Sequence, residues 1–510
     1  MKKVILLFIT LFSLTYLKAQ DFTDALRFAN DEINGTARFR AMGGAFGALG
    51  GDMSAININP ASSVVFSQSE ASFSLDYISV NNETNYYNDV RSTSENSFNL
   101  SQGGGVFVYA SNNPNTKWNK FSLGVAYDRT GNFNDSWTAL GFNPSTSIAE
   151  YFRGFAEGLP LSDISILQGE NLSEAYAEIG SLFGFGNQQA LLGYEGFLID
   201  PVSDTDDNTS YINNIVGGNY SQNYGLNSTG NSGKMAFNAA AEYNNVLQLG
   251  VNLNVHFLNY ERNTIMNELN FNAASVVDTA IFENFLRTTA SGVSFQLGSI
   301  FKVTKEFRAG LTYQSPTWYN VSDETSQSLT YRFNGASSLR PLNPRVVNVY
   351  PEYKLRTPGK ITGSLAYVFG ERGLLSFDYS RKDFSETTFR PTNDPFFAFQ
   401  NEEMSSLFGV SNSYRLGGEY RYKDFSFRGG YRVEGSAFED ETFGGDLTAY
   451  SLGLGYTYGN LTFDIAFSQS ERERNEFLYS NAPTFRETAN VNTKLTDIVF
   501  TLTLFFSFSF

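Results

Sequence analysis

The chain carries no cysteine and a single histidine in 510 residues. Without thiols there is no cysteine nucleophile, no thiolate-held metal, no disulfide and no lipid-bearing cysteine, a pattern that suits an exported protein. The lone imidazole, His256, needs an activated serine in reach to act as a catalytic base, and no nucleophile-elbow pattern lies near it. One histidine and no cysteine also disfavour haem. Charge is scarce too: only 17% of residues are charged, with an acidic excess that sets the net charge at −16. Nucleic-acid binders carry a basic footprint, so nucleic acid is excluded as a partner. The acidic pairs Asp206-Asp207 and Asp440-Glu441 sit in polar stretches. They read as solvated surface, or as lipopolysaccharide contacts through a divalent cation, rather than as paired catalytic carboxylates. GALGG at 47–51 lacks the lysine and the βαβ setting of a phosphate-binding loop. Long apolar runs are missing as well: beyond the first twenty residues nothing approaches the ~18 apolar residues of a membrane-spanning helix. No catalytic residue, metal site or cofactor is expected.

What the chain has in excess is aromatic side chains, 48 Phe and 29 Tyr. So many aromatics on so few charges suit a transmembrane β-barrel, whose outer face is apolar and ringed by aromatic girdles. Met1–Ala19 reads as a signal peptide, with Lys2 and Lys3 ahead of the apolar Val4–Leu17. Further on, apolar and polar residues alternate repeatedly, the pattern of a strand with one face to lipid and one to the lumen. Near 68–79, for example, Ala71, Phe73, Leu75 and Tyr77 share the outer face. About fourteen strands are expected, the others near 103–111, 120–131, 234–243, 246–260, 289–303, 306–314, 360–369, 374–382, 414–422, 425–433, 448–458, 461–469 and 497–510. Short connections such as Asn244-Asn245, Lys423-Asp424 and Gly459-Asn460 alternate with long ones at 80–102, 132–233, 261–288, 315–359, 383–413, 434–447 and 470–496. Barrels have short periplasmic turns and long outer loops, so both termini are placed in the periplasm. The longest connection holds two expected helices, Ser147–Gly158 and Ser173–Phe185, with Ser147 and Ser173 as N-caps.

Between the leader and the first strand lies Gly35–Ala61, GTARFRAMGGAFGALGGDMSAININPA. Rich in Gly and Ala, it is a poor strand but can fold as a compact plug. The AMGGAF…NPA run, ending in Asn59, Pro60 and Ala61, resembles the N-terminal hatch of the FadL/TodX family of outer-membrane transporters. The expected organisation is a signal peptide at 1–19, a hatch at 20–66 and an antiparallel barrel at 67–510. The resemblance implies passive uptake of hydrophobic molecules, with long-chain fatty acids as prototype, and lateral release where a kinked strand opens the wall. Gly124 and Ala126, inward on the third strand, leave room for such a kink. A sixteen-carbon tail holds an apolar site by roughly 12 kcal/mol, so a polar lumen is no exit. The aromatic end of the chain resembles the signal read by barrel-assembly machinery.

Inward-facing arginines are candidates for a carboxylate head group: Arg415 and Arg428 on the wall, Arg38 and Arg40 in the hatch. Their alternative role is pairing with one another, with Glu419 and with Asp464, since buried charges need partners. Strands offer the lumen mostly polar side chains, so the apolar part of a binding site is assigned to the long connection: Phe152, Phe155, Leu159, Leu182, Phe183 and Phe185. These residues could equally form the core of that loop. A general porin is disfavoured by the plug, and an outer-membrane enzyme by the poverty of catalytic groups. A secretion-associated or structural barrel handling protein cargo (PorV-like) is the main alternative.

Overall fold

Residues two apart share a face of a strand, so alternation in sequence becomes two surfaces in space. On β1 (Ser69–Tyr86), Phe73 and Tyr77 are exposed while Ser72, Ser74 and Asp76 are buried. On β2 (Asp89–Ala110), where parity left the facing open, Phe107 and Tyr109 point outward and Val106 is buried. This computed structural model describes residues 22–30, 32–113, 115–480 and 486–506. The expected signal peptide and the terminal Phe510 lie outside the described residues.

The chain continues through β3 (Trp118–Asn132, prolonged by Asp135–Asn143), β4 (Tyr220–Tyr243), β5 (Leu247–Leu269), β6 (Val277–Lys302) and β7 (Phe307–Gln314 and Trp318–Phe333). Then follow β8 (Tyr353–Arg356 and Lys360–Val368), β9 (Gly373–Asp383), β10 (Val410–Tyr422), β11 (Phe425–Glu434), β12 (Leu447–Tyr458), β13 (Leu461–Ser480) and β14 (Arg486–Phe506). Each pairs antiparallel with the next, and β14 returns to β1, in register from Ser69↔Phe506 to Asn85↔Asn490. Among the described residues the sheet therefore closes on fourteen strands. Closure is what a bilayer demands, because hydrocarbon cannot satisfy an open edge. At one end the turns are short. Asn244 and Asn245 both adopt positive φ, 53° and 58°, the hairpin geometry that asparagine tolerates.

The other end departs from expectation. The connection expected at 80–102 is a continuous hairpin, with Tyr86↔Asp89 as its last pair around Tyr87-Asn88. The stretch 132–233 is not free of strands either, since Asp135–Asn143 pairs with Tyr220–Ser228. Above the membrane the outer face of a strand meets water and the inner face meets polar neighbours, as Asn82 and Thr84 meet Ser136 and Thr138, so both faces are polar. A run such as Asn81-Asn82-Glu83-Thr84-Asn85 then loses its alternation while its ladder persists. What looked like long loops are largely strands rising past the bilayer.

Helices fill both the lumen and the outer end: α1 (Phe22–Ala29), α2 (Ala37–Ala41), α3 (Ala149–Ala156), α4 (Leu172–Phe183), α5 (Phe185–Glu195) and α6 (Pro395–Leu407). The cap of α4 is Asn171, in a reciprocal box with Glu174, rather than Ser173, whose hydroxyl donates to the Pro344 carbonyl. The cap of α3 is Ile148; Ser147 Oγ accepts from Ala149 N one residue further in. α5 and α6 have no counterpart in the sequence reading, because both are apolar on several faces and show no clean helical stripe.

Candidate functional site

Residues 33–66 lie inside the barrel and bond to its inner face nearly all the way round. Asn59 caps the 3-10 turn Pro60–Val65, its Oδ1 accepting from Ala61 N at 3.1 Å. Its Nδ2 donates to the Gly47 carbonyl at 2.6 Å and to the Ser299 carbonyl of β6 at 3.0 Å. Inward amides answer from the wall: Asn238 donates to Pro60 O, Asn252 to Ile56 O and Gln296 to Asn57 O, all at 2.9–3.0 Å. The Asn-Pro-Ala turn is thus a buried cap clamped between β4 and β6. Two glycine pairs in the wall make room for it. Gly250 and Gly298 face each other in register across β5 and β6, and a Cβ on Gly298 would lie 2.0 Å from Asn59 Oδ1. Gly417 and Gly430 pair across β10 and β11, against the backbone of Met42-Gly43. Glycine in a strand marks where another backbone comes close.

Ions hold the opposite side. Arg38 Nε donates to Glu419 Oε2 at 2.9 Å, and Arg428 binds the same carboxylate at 2.7 Å and Asp464 at 2.5 Å. Arg40 meets Asp497, Asn34 and Ser468. Three of the four arginines named for a head group are therefore saturated by neighbouring carboxylates. Arg415 differs. It is 5% exposed, and its Nε and Nη1 have no hydrogen-bond partner among the described residues. Its register neighbour on β9, Asp378, is turned to the hatch amides of Phe46 and Gly47 at 3.1 and 2.9 Å.

Above the hatch three cavities meet, with Asn30 and Arg472 lining all of them. The uppermost, about 310 Å³, is lined by Leu26, Phe133, Tyr260, Phe438 and Phe477 and also by the charged Arg27, Asp135, Arg262, Arg474 and Glu476. Its apolar side chains belong to a layer in which α1 and α6 pack against Leu258, Tyr319 and Val321 of the wall. The second, about 200 Å³, adjoins the hatch and mixes Ile33, Ile78 and Leu495 with Arg40, Arg432 and Asp497. The third, about 50 Å³, is a side pocket against β8–β11 that contains Arg415.

The apolar lining of these three cavities therefore comes from the strands, from α1 and from the β11–β12 connection. Parity could have shown part of it, because Leu258 and Tyr260 share the inward face of His256. Of the six loop residues, Phe152 is fully buried in the core of the outer cap, 5.0 Å from Phe282 ring to ring. Phe155 and Leu159 pack on that core, and Phe185 lies 6.0 Å from Phe155. Only Leu182 and Phe183 are exposed, at 51% and 41%. None of the six lines these three cavities. His256 faces inward as parity required, bonded to Ser294 Oγ at 2.8 Å and edge-on to Tyr319.

The wall itself has a seam. The β2–β3 ladder runs from Ala110↔Lys120 to Gln102↔Asp128 and stops. Beyond it β2 pairs only with β1, and β3 only with β4. Past Phe133-Asn134, β3 lies against the inner face of the β1–β2 hairpin, with Thr93 donating to Ser136 O at 2.6 Å. The two strands thus part past Asp128, and β3 bends inward at 133–134. Gly124 and Ala126, the residues expected to permit it, stay in the ladder opposite Val106 and Gly104. Behind the seam stands the hatch: Glu32 N donates to Thr130 O at 2.9 Å and Gly35 N to Ser101 Oγ at 3.2 Å. The buried pair Arg129–Asp76, at 2.6 Å, stands beside them.

A closed fourteen-stranded barrel with an apolar exterior and a lumen filled by its own N-terminal segment is a plugged outer-membrane channel. The sequence profile described as outer membrane protein transport protein (OMPP1/FadL/TodX) matches residues 202–510, and the chain belongs to that family. No curated protein matches it in sequence. Among solved structures it is similar to a Pseudomonas aeruginosa FadL homologue, at 11% identity and a TM-score of 0.54 over 94% of this chain and 100% of that one. It is also similar to the Pseudomonas putida toluene transporter TodX, at 12% and 0.50, and to the CymD monoaromatic hydrocarbon channel, at 13% and 0.50, each over 94% of this chain and 100% of the other. At such identities the likeness is one of fold.

Proposed function

We propose that the chain carries hydrophobic molecules with an acidic head, long-chain fatty acids foremost, passively across the outer membrane. The observation behind this reading is that a cavity lined by both aromatic side chains and arginines adjoins the arginine-bearing chamber beside the hatch, the two sharing Asn30 and Arg472. An amphiphile fits that sequence of linings better than an unsubstituted hydrocarbon of the kind named for TodX and CymD. The sizes suit a small molecule and not protein cargo. Leu182 and Phe183, exposed at the outer end of α4, are the first surface contact in this reading. The exit is lateral, through the β2–β3 seam, once the hatch segment around Glu32–Thr36 moves aside. The same reading gives the chain no enzymatic role.

The test is mass spectrometry of lipids retained on gently purified protein, paired with uptake of labelled oleate and labelled toluene into proteoliposomes. Retained fatty acid and faster oleate entry are expected. Toluene entry alone, or neither, overturns the reading.

A further inference from the structure

The exterior of the barrel carries a basic patch whose charges find no partner among the described residues. Tyr313 and Trp318 of β7 and Tyr379 of β9 face outward. Outward aromatics of this kind mark the boundary between hydrocarbon and head groups. Directly above them, at the end of the long connections, the outer face turns basic. Trp318 is paired with Arg356 of β8, and the next outward row runs Asn320, Lys354, Arg390. Arg390 lies on the short strand Thr388–Arg390, which follows β9. Arg381 stands one outward position beyond Tyr379 on β9. Lys354, Arg381 and Arg390 are exposed, and Arg356 is half-buried.

Among the described residues none of these four side chains has a hydrogen bond or an ion pair. Asp383, the next outward residue of β9, is occupied in capping the turn Phe384–Glu386. Glu352 and Glu386 are exposed and pair with none of the four. Lys354 and Arg390 are register partners on one face, and like charges placed opposite one another destabilise a sheet. The adjoining sector handles charge differently: Arg287 of β6 lies between Glu261 and Glu324, at 3.6 and 4.0 Å. In a chain of net charge −16, four cations left together without acids call for an anion from outside.

We propose that this patch binds the phosphates of a lipid in the outer leaflet. Guanidinium groups hold phosphate oxygens in charge-assisted pairs, and Lys354 adds a compact point charge. A phosphate between Lys354 and Arg390 replaces their repulsion with two attractions. A lipid suits the place better than a soluble anion, because the patch is continuous with apolar surface below it: Ile361, in register with Arg381, is 55% exposed and Trp318 is 44% exposed. The acyl chains lie against those side chains. The site is on the outside of the wall and does not depend on what passes through the lumen.

The test uses the full barrel in detergent and native mass spectrometry with three probes: diphosphoryl lipid A, the same lipid with both phosphates removed, and inorganic phosphate. The phosphorylated lipid should bind at least about tenfold tighter than the dephosphorylated one, a preference that shrinks as salt is raised. Lys354→Gln with Arg356→Gln and Arg390→Gln should bring the two lipids to within about twofold. A charge-matched control, Lys305→Gln with Arg372→Gln and Lys423→Gln in the exposed short turns, should leave the preference unchanged. Heat-modifiable gel mobility checks assembly; if the triple variant of the patch does not fold, Lys354→Gln with Arg390→Gln should still lower the preference at least about threefold. Equal binding of the two lipids, a preference that survives in the folded variant, or an equal loss in the control overturns the proposal. Inorganic phosphate that displaces the lipid at equal concentration reduces the patch to a simple anion site and also overturns it.

Discussion

At the scale of single residues, the plug depends on what the wall omits. Gly298 and Gly250 let the Asn59-Pro60-Ala61 turn touch the barrel backbone, and a methyl group on Gly298 would collide with Asn59 Oδ1 and Pro60 Cδ. Gly298→Ala should therefore push the turn off the wall and cost Asn59 its bond to Ser299 O, about 1 kcal/mol for each hydrogen bond lost. The strand ladder does not depend on that turn, so the barrel should still form. Conductance in planar bilayers checks it: raised ion leakage with normal heat-modifiable mobility is expected, and an unchanged seal would show that the close approach is unimportant. Asn59→Ala should give the same phenotype, because it removes the cap, the donation to Gly47 O within the hatch and the donation to Ser299 O of the wall at once.

At the scale of elements, the membrane-embedded part of each strand was legible and the rest was not. The outer and inner faces of the first strand follow directly from period two, and Arg415, Glu419 and Arg428 point inward as parity required. Beyond the bilayer that signal ends, so the upper halves of β1, β2, β4 and β13 passed for loops. The apolar layer over the hatch was hidden for another reason. It joins residues far apart in sequence, such as Leu26, Tyr260 and Phe438, which no local period connects. The corrected outer cap changes which loop residues can meet a ligand. Leu182→Asp with Phe183→Asp should lower oleate uptake severalfold at normal barrel yield, since both side chains are exposed. Phe152→Asp should instead reduce folded protein, because it buries a charge in the cap. Equal uptake by the double variant and the parent would remove α4 from the route. Orientation is tested with epitope tags. One at Asp206 should be reachable on intact cells and one at Lys423-Asp424 should not, since short turns face the periplasm.

At the scale of the whole molecule, hatch and wall are separable in hydrogen bonding but not in permeability. Deleting residues 23–54 should leave a closed sheet, because its ladders run strand to strand, yet one that admits small polar solutes. Liposome swelling with sugars checks this, and a tight barrel after the deletion would mean that the segment is not a plug. The seam where β1 meets β14 has a further consequence, for the order in which the molecule is made. It joins Ser69 to Phe506 across nearly the whole chain, a contact whose loop entropy makes it slow to find. The hatch, which precedes every strand in the chain, already carries the fittings for the last one: Ala37 N donates to Thr501 Oγ1 at 2.6 Å, and Arg40 pairs with Asp497. Thr501 in turn meets Ser74 of β1 at 2.8 Å. The segment that stoppers the finished pore is thus also a jig that brings its two ends together. A barrel lacking it should reach the same final sheet in lipid vesicles, but at a lower rate.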